Sequence, residues 1–375
     1  MEKRRLPRIL IVTAGYGEGH HSAARGVRDA LEGRAEVRVM DLCAEALPRV
    51  FRLTRAGYLW IIAHMPGVWK LMYEVSDRRN LAEKPIKGLE PVERFLAGVL
   101  RDWKPDAVIS TYMVYPYMLD SIAGRTGRVT PYLTVVTDSF VINKSWLCSD
   151  SPLWAVTDPW TREVMQEKGI PGNRVRVTGF PVHPGLGALA REHSLSWFSG
   201  ELFRVLYFAQ RSARHAREEL EAMLEADPSV HVTCILGRRF RKIYPCIRDL
   251  LARYGSRLVV RGWTRRVPSY LAASHVVVGK AGGATVHEVL ASARPMLVNF
   301  LLPGQEEGNA QLLERLGGGF YVPDAPALAS ALQGMMADDG AQWRRMHESL
   351  LKADMTGGSG KIADLVLNLA AERTN

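Results

Sequence analysis

Short apolar runs rich in Val and Ile recur along this chain, each followed by a helix-patterned segment, and that alternation constrains the fold most. The first set is Arg8–Thr13, Glu36–Asp41, Ala107–Ser110, Tyr132–Thr137, Leu153–Val156 and Val175–Gly179. A Pro/Gly/Ser-rich break at 181–200 precedes the second: Arg204–Ala209, Val230–Leu236, Leu258–Gly262, His275–Gly279, Met296–Phe300 and Gly319–Val322. Repeated strand–helix units imply parallel sheets with helices on both faces. At 375 residues the chain exceeds one ordinary core. The expectation is α/β, with Rossmann-like domains at 1–190 and 200–356 and a helical tail at 357–375.

Composition is that of an ordinary globular protein, 47% hydrophobic and 23% charged. Cys43, Cys148, Cys234 and Cys246 are scattered without metal-ligand spacing, which suits a reduced cytoplasmic protein with no bound metal. The N-terminal apolar run stops at Thr13, too short for a signal peptide, and no stretch approaches a membrane span. A net charge of +10 calls for an anionic partner: membrane lipid, nucleic acid or a phosphorylated substrate. With no nucleic-acid-binding module in the chain, nucleic acid is not expected.

Two glycine-rich turns carry the chemistry. Ser274–Gly279 (SHVVVG) reads as a buried strand, and Gly282-Gly283 follow where a helix should begin. Free N–H groups at a helix start attract anions, and glycines admit a phosphate to the backbone. Thr285 lies in that first turn, and Glu288 one turn on is placed to accept hydrogen bonds from ribose hydroxyls. Thr285-Val-His-Glu288 also fits a capping box, in which Glu288 would serve only the backbone. After Pro295–Phe300, the next loop puts Gln305, Glu306 and Asn309 at the same sheet edge. Phosphate, ribose and hexose would then each have a partner. Neither a dinucleotide fingerprint nor a Walker A loop is present.

The other turn is Thr13-Ala-Gly-Tyr-Gly-Glu-Gly-His20, ending the first strand. Gly15, Gly17 and Gly19 let the loop turn tightly, and His20 at the helix start is a candidate base. The plainer alternative is a turn in which Ser22 or His20 merely caps the helix. Between the domains' motifs, Val50–Val75 carries Tyr58, Trp60, Trp69 and Tyr73 among Arg52, Arg55 and Lys70, divided by Pro66-Gly67. Such a segment either docks on an anionic membrane surface, rings at headgroup depth, or packs its rings into the core.

Both turns in order, with Gly17 and Gly282 separated by 265 positions, resemble the family 28 glycosyltransferases. Gly304-Gln-Glu-Glu-Gly-Asn309 is similar to the wording of that family's diacylglycerol branch, which includes the monogalactosyldiacylglycerol synthases and processive diacylglycerol glucosyltransferases. Thr137-Asp138 with Lys144-Ser-Trp146, Ala155-Val-Thr-Asp158 and Gly179-Phe-Pro-Val182 follow its pattern as well. The resemblance implies a GT-B fold, two Rossmann-like domains facing across a cleft, with the last helix, near Gly360–Arg373, returning to the first domain. It implies inverting transfer of a hexose from a UDP-sugar to a lipid acceptor, diacylglycerol foremost, without metal or other cofactor, on the inner face of the cell membrane. No Asp-x-Asp occurs in the chain, in keeping with this. His20 matches the family histidine and would act as base near its ordinary pKa of ~6.5, with Asp138 as the alternative. Trp263 and Thr264 match positions flanking uracil, and membrane-facing aromatics are expected at Val50–Val75. One departure is Phe208-Ala-Gln-Arg-Ser-Ala-Arg214, where the family has a Gly-rich turn, so Arg211 would supply charge instead. A polyprenyl-linked acceptor, a UDP-sugar 2-epimerase and a non-catalytic nucleotide-sugar-binding membrane protein remain alternatives.

Overall fold

The computed structural model describes residues 5–78, 88–193, 195–198, 200–302, 304 and 306–372. Twelve strands form at the twelve expected places: β1 Arg8–Thr13, β2 Glu36–Asp41, β3 Ala107–Ser110, β4 Tyr132–Val135, β5 Trp154–Val156, β6 Val175–Val177, β7 Phe203–Phe208, β8 Val230–Gly237, β9 Leu258–Gly262, β10 Val276–Lys280, β11 Met296–Phe300 and β12 Gly319–Tyr321. They assemble into two six-stranded sheets, ordered β2-β1-β3-β4-β5-β6 and β12-β11-β10-β7-β8-β9. Every pairing is parallel. The winding direction reverses beside β1 and β3 in the first sheet and beside β7 and β10 in the second. Carboxyl ends of strands at such reversals are where doubly wound sheets bind ligands.

The described residues divide into two compact units. One comprises the chain up to Pro184, together with Leu302–Gly308 and the stretch from Gly357 onward; the other comprises Gly185–Leu301 and Asn309–Thr356. In the first unit, helix Glu18–Ala30 turns Ala24 and Val27 inward, onto Ile9 and Ile11 of β1. Helix Gly358–Glu372 adds Ile362, Ala363, Val366 and Ala370 to the same cluster. Gly26 is required there, because a Cβ at that position would stand 1.9 Å from the Pro181 carbonyl oxygen. In the second unit, Tyr207, Val276, Val278 and Leu297 pack under Leu220, Met223 and Leu224 of helix Ala213–Ala226. Among the described residues, no helix is long and apolar enough to cross a membrane.

Candidate active site

The turn after β1 delivers His20 into a closed environment. Helix Glu18–Ala30 has Gly17 as its N-cap, with no capping side chain, so neither His20 nor Ser22 caps it. His20 is 8% exposed. Its Nδ1 lies 3.1 Å from the Thr137 hydroxyl, and its carbonyl accepts a 3.2 Å bond from Thr111 Oγ1. The Tyr112 ring meets it edge-on at 5.2 Å, and the Trp146 ring lies 6.1 Å away. Burial lowers the imidazole pKa to about 4, against the ordinary value expected from sequence. The ring is therefore neutral at physiological pH and a weaker base than an exposed histidine.

Asp138 follows Thr137 and receives a 2.8 Å hydrogen bond from Trp146 Nε1. Burial raises its carboxyl to about 6, only partly countered by that bond. Proton affinities are thus inverted relative to free side chains, and the carboxylate is the stronger base of the two. Trp146, matched to the family pattern in sequence but given no role of its own there, touches both groups. It lies in the 3₁₀ turn Lys144–Leu147, too short for periodicity to reveal direction. His21 points elsewhere: its Nε2 sits 3.1 Å from Asp41, the residue that caps helix Leu42–Ala46.

The aromatic segment folds as helices Pro48–His64 and Pro66–Arg78. It divides its side chains between two faces. Val50, Leu53, Leu59, Trp60, Met65, Val68, Leu71, Met72 and Val75 are all exposed, Leu53 by 75% and Trp60 by 54%. Arg52 and Lys70 are exposed beside them. Trp69 and Tyr58 turn inward instead, edge-to-face at 5.1 Å, and Tyr58 and Phe51 flank Tyr16 of the His20 turn. The Trp69 Nε1 is buried and finds no partner. Arg55 is not a surface cation, contrary to the sequence expectation: its Nε donates to the Gly15 carbonyl at 2.6 Å. These helices and the loop carrying His20 are one packed assembly.

In the second unit, helix Gly283–Ala291 has Gly282 as its N-cap and no capping side chain. Its first internal bond runs from Val286 N–H to the Gly282 carbonyl, so the N–H groups of Gly283, Ala284 and Thr285 precede the ladder. With the helix starting at Gly283, Thr285 and Glu288 are too far along to form a capping box, and that alternative falls. Glu288 is half-buried.

Arg211, on the loop after β7, donates Nη1 to Glu219 Oε1 at 3.0 Å and lies 3.5 Å from the Asn299 carbonyl on β11. The guanidinium thus crosses the carboxyl end of β10, next to the glycine turn. Glu219 is 2% exposed and also accepts from Tyr207 Oη and Asn299 Nδ2. Asn309 Nδ2 donates to the Ala281 carbonyl at 3.0 Å, tying the two turns together, and its Oδ1 is buried without a partner. Glu306 is 4% exposed and accepts the Leu302 N–H at 3.0 Å. Gln305 lies outside the described residues. Trp263 is 60% exposed on the loop after β9, and Thr264 accepts the Arg266 N–H. No cluster of His, Cys, Asp and Glu that could hold a metal occurs among the described residues.

Comparison with known proteins identifies the family. Residues 20–182 match the model of monogalactosyldiacylglycerol synthase, and 213–358 match the family 28 glycosyltransferase C-terminal domain. The chain is a family 28 glycosyltransferase. It is 24% identical, over 96% of its length and 94% of the relative's, to the processive diacylglycerol beta-glucosyltransferase of Bacillus subtilis (strain 168). The Bacillus pumilus (strain SAFR-032) protein of the same name is 24% identical over 88% of this chain and 87% of its own. Among solved structures, MurG of Acinetobacter baumannii superposes with a TM-score of 0.64 at 13% identity, covering 96% of this chain and 99% of the other. UDP-GlcNAc 2-epimerase of Neisseria meningitidis, bound to UDP-GlcNAc, gives 0.58 at 14% identity, covering 97% and 100%. The family 28 transferase has the GT-B fold, which the epimerase shares, so fold alone does not separate transfer from epimerisation; the family match does.

Proposed function

We propose that this glycosyltransferase moves a hexose from a UDP-sugar to the hydroxyl of a membrane lipid, diacylglycerol foremost, with inversion and without a metal. The observation that carries the lipid acceptor is the packing of the His20 loop against two helices whose outer face is exposed and apolar. A lipid hydroxyl presented at a bilayer surface suits a base held beside such a face. The relatives named as diacylglycerol glucosyltransferases support the same acceptor.

On this reading, the uncapped start of helix Gly283–Ala291 holds the UDP phosphates, and Glu288 holds the ribose. The departing diphosphate gains charge that this N-terminus stabilises. In the first unit, neutral His20 and ionised Asp138 are the two groups able to accept the acceptor's proton. Asp138, at about 6, is nearer to working pH and is the stronger acceptor. Thr137 and Trp146 fix the orientation of the pair.

Incubation with radiolabelled UDP-glucose or UDP-galactose and diacylglycerol vesicles tests the reading. A chloroform-soluble glycolipid with a β-linkage is expected. Product formed on a polyprenyl lipid alone would reassign the acceptor. Interconversion of the UDP-sugar without transfer would replace the reaction by epimerisation.

A further inference from the structure

Residues 238–266 hold ten Lys and Arg side chains against one acid, Asp249, in a chain whose whole net charge is +10. Several are engaged locally. Arg217, from a neighbouring helix, takes Asp249. Arg253 pairs with Glu221 and Glu225, and Arg257 donates to the carbonyls of Val230 and Asp227. Arg238, Arg241, Lys242, Arg248, Arg265 and Arg266 are exposed, and no carboxylate lies within ion-pair reach of them among the described residues.

The topology gathers these charges. β8 and β9 are adjacent and parallel, so the segments beginning at Arg238 and at Trp263 leave the same sheet edge. Phe240 lies against Gly262, where a Cβ would meet the ring at 3.5 Å, and stacks on Tyr244 at 4.6 Å. That packing braces the short helix Phe240–Ile243, which carries Arg241 and Lys242. Beside it, Trp263 is 60% exposed, with the Arg265 guanidinium 5.7 Å from its ring centre.

We infer that this face of the second unit is a docking surface for an anionic phospholipid bilayer. Clustered unpaired cations concentrate at a negatively charged leaflet. Single-stranded nucleic acid would need several exposed rings for base stacking. Here Phe240 and Tyr244 are stacked on each other and partly buried, leaving Trp263 as the exposed ring. The choice of bilayer rests on the lipid-acceptor reading, whereas the surface is separate from helices Pro48–His64 and Pro66–Arg78. Those helices supply apolar area; this face supplies charge.

Sedimentation of the full chain with phosphatidylcholine vesicles, with and without phosphatidylglycerol, tests the inference in parallel with the triple variant Arg241→Glu, Lys242→Glu, Arg248→Glu. The variant should lose at least about tenfold in partition to phosphatidylglycerol vesicles at low salt, and little on phosphatidylcholine alone. Its melting temperature and UDP affinity should match those of the unaltered protein. The milder pair Arg265→Gln, Arg266→Gln should lose less, in the same direction. Unchanged partition of the triple variant overturns the inference and leaves the lipid-acceptor reading standing. Loss of binding to an RNA homopolymer with vesicle partition unchanged overturns it in favour of nucleic acid. Failure of the unaltered protein to sediment with any vesicle removes both readings.

Discussion

The turns after β1 and β10 occupy the same place in two similar sheets, yet they are built from different material. After β10, the turn offers backbone: Gly282 leaves the helix uncapped, and the groups facing outward are N–H dipoles that do not titrate. After β1, the helix is equally uncapped, but His20, Thr137, Asp138 and Trp146 converge there in a desolvated cluster. Backbone donors hold a permanently charged ligand at any physiological pH. A cluster of buried side chains can gain or lose a proton, which is what a hydroxyl acceptor requires. The difference suits the first turn to proton transfer and the second to phosphate.

The largest expected effect breaks the comparison on the first side. Asp138→Asn and His20→Ala should each lower transfer by on the order of 10²–10⁴-fold if the group accepts or relays the proton. UDP affinity, measured by calorimetry, should stay unchanged in both. His21→Ala should do far less, since His21 faces Asp41. An equal drop from His21→Ala, or a drop in UDP affinity, would show that the cluster is scaffold.

On the second side, Glu288→Ala should weaken UDP binding by about 1–3 kcal/mol, the scale of leaving polar partners unpaired. Arg211→Met should weaken UDP more than uridine, because the guanidinium lies by the turn and not with the base. If uridine and UDP weaken equally, Arg211 serves only to neutralise the buried Glu219.

The membrane helices give a smaller, sharper split. Trp60→Ala should reduce vesicle binding and leave the melting temperature alone, whereas Trp69→Ala should lower the melting temperature and spare binding. The opposite result for either residue would reverse the assignment of faces. This pair also marks the limit of what sequence can convey. The twelve strands were legible because burial on both faces leaves unbroken apolar runs. The Gly282-Gly283 turn was legible because only a few residue types allow that approach to backbone. Nothing in Val50–Val75 distinguished Trp60 from Trp69, or marked Arg55 as the partner of the Gly15 carbonyl, because aromatic and basic residues suit a lipid face and an inner face equally. The Trp146–Asp138 bond was hidden for a related reason: it spans an irregular loop, where spacing does not encode direction. The depressed His20 pKa depends on burial by Tyr112 and Trp146, contacts made only once β3 lies beside β1 and β4 beside β3.

The smallest effect is on stability, and its sign differs between the two titrating groups. His20 is lowered from 6.5 to about 4, so between those values the unfolded chain binds the extra proton and stability rises with pH. Asp138 is raised from 3.8 to about 6, so between those values the folded chain holds the proton and stability falls with pH. The windows overlap from about pH 4 to 6, where the two slopes offset. Asp138→Asn should remove the falling slope, leaving stability that climbs more steeply from pH 4 to 6 and exceeds that of the unaltered protein at pH 7. His20→Gln should do the reverse, leaving a net fall over the same interval. Thermal melts of the two variants across pH 4 to 7 would measure this directly. Parallel curves for both would mean that neither group is desolvated as the packing implies, and the contrast between a titrating turn and a backbone turn would be lost.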